Sequence, residues 1–188
     1  PPSLAYEVLP PIIARFCTAY PDIELAVEVS NTFHNLADHQ IDVSLRVAFE
    51  VNDDVIGRRV LKYAKGIYAS KDYIQKNFSA GDTHGEGLNW IGWGDKDTTP
   101  DWVAQSPFPR ARICHSVGEG LMQVQLARQG FGMSYLPCYV ETYCPELERL
   151  PDTTVEWDRS IWLLLHADLQ KTTRVRLFID FLAKELRE

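Results

Sequence analysis

The sequence predicts an α/β protein built as two small lobes, and three observations carry that expectation. Two stretches, residues 23–47 and 112–136, each read as strand, helix, strand. A polar middle rich in Gly, Pro, Asp and Ser separates them, so one continuous sheet is disfavoured. The chain closes on a strongly amphipathic helix, with Val175, Phe178, Ile179, Leu182 and Leu186 on one face. A length of 188 residues accommodates one domain or two small ones.

Taken in order, Ser3 is placed to cap a first helix. After Pro10-Pro11 the residues Ile12, Ile13, Phe16, Cys17 and Tyr20 keep helical spacing until Pro21 ends it. Ile23, Leu25, Val27 and Val29 then alternate with polar neighbours, which predicts a strand over 23–30. Asn31-Thr32 caps a short helix carrying Leu36, and Ile41, Val43, Leu45 and Val47 alternate again, completing a unit expected to be parallel and right-handed. Residues 55–70 read as further strand, Lys71–Phe78 as a short helix, and 79–89 as a surface loop before a buried strand at Trp90–Trp93. Residues 95–109 form an irregular excursion carrying Trp102. A strand at Arg112–Cys114 leads through Ser116, placed to cap a helix bearing Val117, Leu121 and Val124, to Gly130 as its stop. Strands at Met133–Leu136 and Ile161–Leu165 precede the last helix.

Composition narrows the function. With 45% hydrophobic and 24% charged residues the chain is neither disordered nor fibrous. The apolar run Ile161–Leu165 falls far short of the ~20 residues a membrane-spanning helix needs. Nineteen basic against 26 acidic residues give a net charge of −7, so nucleic acid would have to be gripped by another domain. Cys17, Cys114, Cys138 and Cys144 form no CxxC and are expected to be reduced thiols. His34 and His39 do not share a helix face, and no HExxH, GxSxG or GxGxxG occurs. The expectation is therefore no catalytic residue, no metal and no cofactor.

Short polar residues recur where helices begin: Ser3, Ser30-Asn31-Thr32 and Ser116. At the carboxyl ends of strands, helix N-termini present free N–H groups that suit a small anion, particularly a carboxylate; the alternative is that each residue is only a cap. Trp90, Trp93 and Trp102 either line such a site or belong to the core. Arg46 is either a buried counter-ion or a partner in a salt bridge. His115, beside Ser116, either contacts a ligand or is a structurally neutral histidine.

Five segments, residues 9–31, 41–47, 57–74, 127–137 and 174–186, resemble in order and spacing the effector-binding domain of LysR-type transcriptional regulators, over nearly the whole chain. The resemblance implies a two-lobed type 2 periplasmic-binding-protein-like fold with two crossover strands. Lobe I would hold residues 1–70 plus 167–188, and lobe II 71–166. It implies a small-molecule effector, a small acid or anion, bound in the interlobe cleft. The contacts carried over by position are Ser3, Ser30, Asn31, Thr32, His115, Ser116 and Val117, with Trp93 added from the aromatic wall. It also implies a cytoplasmic homodimer or homotetramer that meets DNA only through an N-terminal winged helix-turn-helix not included in this sequence. The family has a strand just before the position of Pro1, so the expectation is of a fragment. The rival readings are an exported solute-binding protein of the same fold and, more remotely, a small α/β enzyme.

Overall fold

The computed structural model describes residues 3–29, 41–51, 56–78, 84–93 and 101–187. The chain forms two compact units, one of Pro1–Tyr63 with Trp157–Glu188, the other of Ala64–Glu156. The chain passes from one unit to the other within strand β2 (Ile56–Ser70) and at the start of strand β7 (Glu156–Leu165).

In the first unit a π-helical turn, Leu4–Val8, runs into helix α1, Leu9–Ala19. Pro10 and Pro11 lack the N–H groups that regular helical bonds to the preceding turn would use, and they sit at the start of α1, just after the π-helical turn, whose last bond runs from the Leu9 amide to the Leu4 carbonyl. Ile12 and Phe16 form the buried face of α1. Phe16 is fully buried and meets Phe178 and Phe181 edge-on at 4.9 and 5.4 Å. Those rings belong to helix α5, Thr173–Glu185, whose Val175, Ile179 and Leu182 are buried as their spacing predicts. With Val60 of β2 and Leu163 and Leu165 of β7 they form the core of this unit.

The strand expected over 23–30 is not formed. Ile23 and Leu25 are half-buried, but Val27 and Val29 are 60% and 44% exposed, and 23–29 has no ladder. Alternation describes a face; a strand also needs a neighbour to bond, and period two supplies none. The following strand is present as β1, Ser44–Ala48, but it pairs antiparallel with β7, Ser44 opposite Leu164 and Ala48 opposite Ser160, rather than parallel with 23–30. The helix expected after Asn31-Thr32 lies outside the described residues.

In the second unit the end of β2 lies between β5 (Ser134–Pro137) and β6 (Leu147–Arg149), both antiparallel to it. A strand with two neighbours and two covered faces is buried throughout, as Gly66–Ser70 are. Ile67 and Ala69 face one core with Trp90, Met133 and Leu150; Tyr68 faces another with Ile91, Val124 and Leu136. Ser70 caps helix α2, Lys71–Asn77, by accepting from the Tyr73 amide at 3.2 Å. Strand β3 (Asn89–Gly92) pairs parallel with β4 (Arg112–Ser116) and bridges parallel to Met133 through Trp90. Helix α3, Asp101–Ala104, carries Trp102, and helix α4, Gly120–Arg128, returns from β4 and stops at Gly130, whose φ of +77° suits glycine.

Candidate functional site

The parallel register of β3 and β4 sets Gly92 opposite Ser116, so the residues leaving both strands emerge together at their carboxyl ends. The Val117 amide donates to the Gly92 carbonyl at 2.9 Å and closes the turn. Trp93, the next residue along, is 41% exposed, and its ring covers the start of α4: a Cβ added at Gly120 would lie 3.5 Å from Trp93 Cη2. Ser116 is exposed, Val117 half-buried, and the half-buried His115 meets the Phe131 ring at 5.4 Å. Trp93, His115, Ser116 and Val117 are thus gathered at one sheet end, where an open α/β sheet presents ligands.

Two features of this turn differ from the sequence expectation. Ser116 ends β4 and does not cap α4. The cap is Glu119, whose carboxylate accepts from the Leu121 amide at 2.9 Å and the Met122 amide at 2.7 Å. The helix starts too far beyond Ser116 for a short hydroxyl to reach, whereas an extended Glu119 (φ −131°, ψ 124°) folds its longer side chain back onto the first turn. The protein's own anion therefore occupies the α4 amides expected to receive a ligand's. Ser3 likewise makes no capping bond: it has helical dihedrals and is 4% exposed in the first unit. Ser30, Asn31 and Thr32 lie outside the described residues.

Beneath the turn sits Gln123, fully buried on the inner face of α4. Its Nε2 donates to the Val117 carbonyl at 2.8 Å and, more weakly, to the Gly92 carbonyl at 3.3 Å; its Oε1 accepts from the Ser134 hydroxyl at 2.8 Å. The readable signal was a polar amide at buried-face spacing, beside Val124 and one turn before Ala127. Glu119 carried no comparable signal, because Glu is not a favoured cap residue.

The other aromatic candidates belong to the core. Trp90 is fully buried and packs edge-on against Trp102 at 5.0 Å; Trp102 stacks on Tyr135 at 5.9 Å, and Lys65 Nζ lies 5.6 Å from the Tyr135 ring centre. The four cysteines are free thiols, and Cys114 donates to Asn89 Oδ1 at 2.9 Å. Among the described residues no His, Cys, Asp and Glu cluster could hold a metal, and no helix is long and apolar enough to cross a membrane. An open groove of about 590 Å³ lies between α2 and the end of α4, bordered by Lys71, Lys76, Arg128 and Glu146. None of the turn residues lines it, and Arg128 and Glu146 neutralise each other within it.

Comparison with known proteins decides the family. The profile of the LysR substrate binding domain matches residues 1–187. The chain belongs to that family. The LysR substrate-binding domain described here is 24% identical over 192 residues to the HTH-type transcriptional regulator CrgA of Neisseria meningitidis serogroup B, covering 97% of this chain and 64% of that protein. The chain thus spans somewhat under two thirds of the length of its curated relative. The regulatory domain of CrgA from Neisseria meningitidis superposes with a TM-score of 0.77 at 22% identity, covering 98% of this chain and 94% of that one. The effector domain of the regulator AmpR of Pseudomonas aeruginosa gives 0.73 at 18% identity, covering 97% and 90%. These likenesses establish the fold, that of LysR regulatory domains, which is periplasmic-binding-protein-like.

Proposed function

We propose that this domain senses a small-molecule effector for a LysR-type transcriptional regulator acting in the cytoplasm, and that it performs no catalysis. The observation that carries the reading is the convergence of Trp93, His115, Ser116 and Val117 at the carboxyl ends of β3 and β4 in a chain of this family. A small acid is the effector class. With the α4 amides held by Glu119, the Ser116 hydroxyl and the His115 imidazole read its carboxylate, and the Trp93 ring packs against its apolar part. Lobe I, residues 1–70 with 167–188, and lobe II, 71–166, are the bodies whose arrangement the effector biases; it does so by binding one conformation more tightly than the other. Homodimers or homotetramers carry that bias to an N-terminal winged helix-turn-helix, which alone meets DNA.

The experiment is a thermal-shift screen against small carboxylates, aromatic acids, amino acids and inorganic anions. A ligand at a hundred times its Kd stabilises the folded state by about 2.7 kcal/mol, which for a chain of this size raises Tm by roughly 5–10 °C. A saturable shift with an acid, reduced in Ser116→Ala and Trp93→Phe, is the expected result. A panel without a hit, or a hit indifferent to both substitutions, overturns the reading.

A further inference from the structure

We infer that Gln123 is a positioning residue for the effector turn, a role that rests on the function proposed above. A buried amide is costly unless all its hydrogen-bonding groups are met, and a leucine would pack in the same place without that demand. Gln123 is 0% exposed, yet it is fully engaged: it donates to the Gly92 and Val117 carbonyls and accepts from the Ser134 hydroxyl. No hydroxyl or carboxylate supplies that combination, because only an amide offers two donors and an acceptor on one planar group.

The two carbonyls it takes are the informative ones. Gly92 ends β3 and Val117 follows β4, so their oxygens lie where the sheet ladder runs out and would otherwise turn to water or to a ligand. Gly92 O already accepts from the Val117 amide; Gln123 adds a donor to that carbonyl and holds Val117 O beside it. The backbones immediately before Trp93 and after Ser116 are thereby clamped to one side chain. The third bond joins the clamp to Ser134 of β5, which is fully buried and stands opposite Tyr68 of β2. The turn is therefore tied to the strand through which the chain enters this unit.

The test uses the chain labelled with ¹⁵N and compares Gln123→Met, which keeps length and loses all polar groups, with Gln123→Leu, which loses them in a shorter, branched side chain. Two quantities are read: hydrogen exchange at the Val117 amide, and the indole N–H resonance of Trp93, assigned with Trp93→Phe. Both variants are expected to accelerate Val117 exchange about tenfold, the equivalent of one hydrogen bond, and to move the Trp93 resonance, while exchange in α5 stays unchanged. Ser134→Ala, which leaves both donations in place, is expected to shift Val117 exchange by less than threefold and serves as the folded control. Unchanged Val117 exchange in Gln123→Met, or acceleration by the same factor at Ile91 and throughout the unit, overturns the positioning role. A ligand panel without a hit ends the effector reading instead and leaves these exchange rates to be read on their own.

Discussion

Replacing Glu119 by alanine removes the cap of α4 and separates the observed capping arrangement from the one the sequence predicts. The carboxylate holds two amides, at 2.9 and 2.7 Å, the first partly buried and the second exposed. Losing an N-cap costs about 1 kcal/mol, and losing a negative charge at a helix N-terminus about another 0.5. The exposed Met122 amide recovers a water partner, which keeps the sum near 1–2 kcal/mol rather than above it. At about 2–4 °C per kcal/mol for a chain of this size, Tm falls by roughly 3–6 °C. Glu119→Gln, which retains an acceptor but no charge, is expected to lose about half as much. Ser116→Ala, outside the cap, should stay within about 0.5 kcal/mol of wild type. Urea unfolding followed by circular dichroism measures all three variants. Equal costs for Ser116→Ala and Glu119→Ala, or a Glu119→Ala midpoint indistinguishable from wild type, would refute the assignment of the cap.

Burial above all, with hydrogen bonds to Cys138 and Glu141, raises the pKa of the Tyr68 phenol far beyond its ordinary range. The folded state thus keeps a proton that the unfolded chain loses above about pH 10, so the stability it confers is complete below that pH and is lost as pH rises further. Tyr68→Phe should flatten the alkaline limb of the stability curve; identical limbs for variant and wild type would count against it. The Glu146 carboxylate is held below its usual pKa by its own backbone amide and by Arg128. Its contribution is present above the unfolded value of about 4.3 and disappears as pH falls through the lower folded value, so Glu146→Gln should reduce the acid-side slope of Tm against pH. At Gly132 a Cβ would lie 2.6 Å from the Asn89 carbonyl oxygen, which accepts from the Met133 amide at 2.8 Å. Gly132→Ala should cost about 2 kcal/mol or more in urea unfolding, and a wild-type midpoint would show that the backbone yields there without penalty.

Much of the local structure is legible in the sequence because it rests on near neighbours. The buried face of α5 follows from apolar residues recurring at helical spacing, the entry to α1 from the tolerance of prolines in a first turn, and the end of α4 from a glycine that accepts positive φ. The family was also legible, since five ordered segments carried the resemblance and the profile match covers residues 1–187. The candidate site was legible only as a neighbourhood. Trp93, His115, Ser116 and Val117 do come together, but the chemistry assigned to Ser3 and Ser116 as caps does not hold, because capping depends on where the helix begins to within a residue or two.

What the sequence by itself determined is the set of elements whose cause lies within one or two turns of chain: hydrophobic period, proline and glycine chemistry, and the polar loops between them. What only the tertiary structure decided is who bonds to whom across long separations. Residues 23–29 alternate as a strand should and yet form no ladder, while β1 finds β7 more than a hundred residues away and runs antiparallel to it. Gln123 looks like one polar residue in an amphipathic helix until Gly92, Val117 and Ser134 are brought around it. Periodicity encodes which face of an element is buried. It does not encode the hydrogen-bond partner, which is fixed by the requirement that every buried polar group be satisfied in the assembled fold.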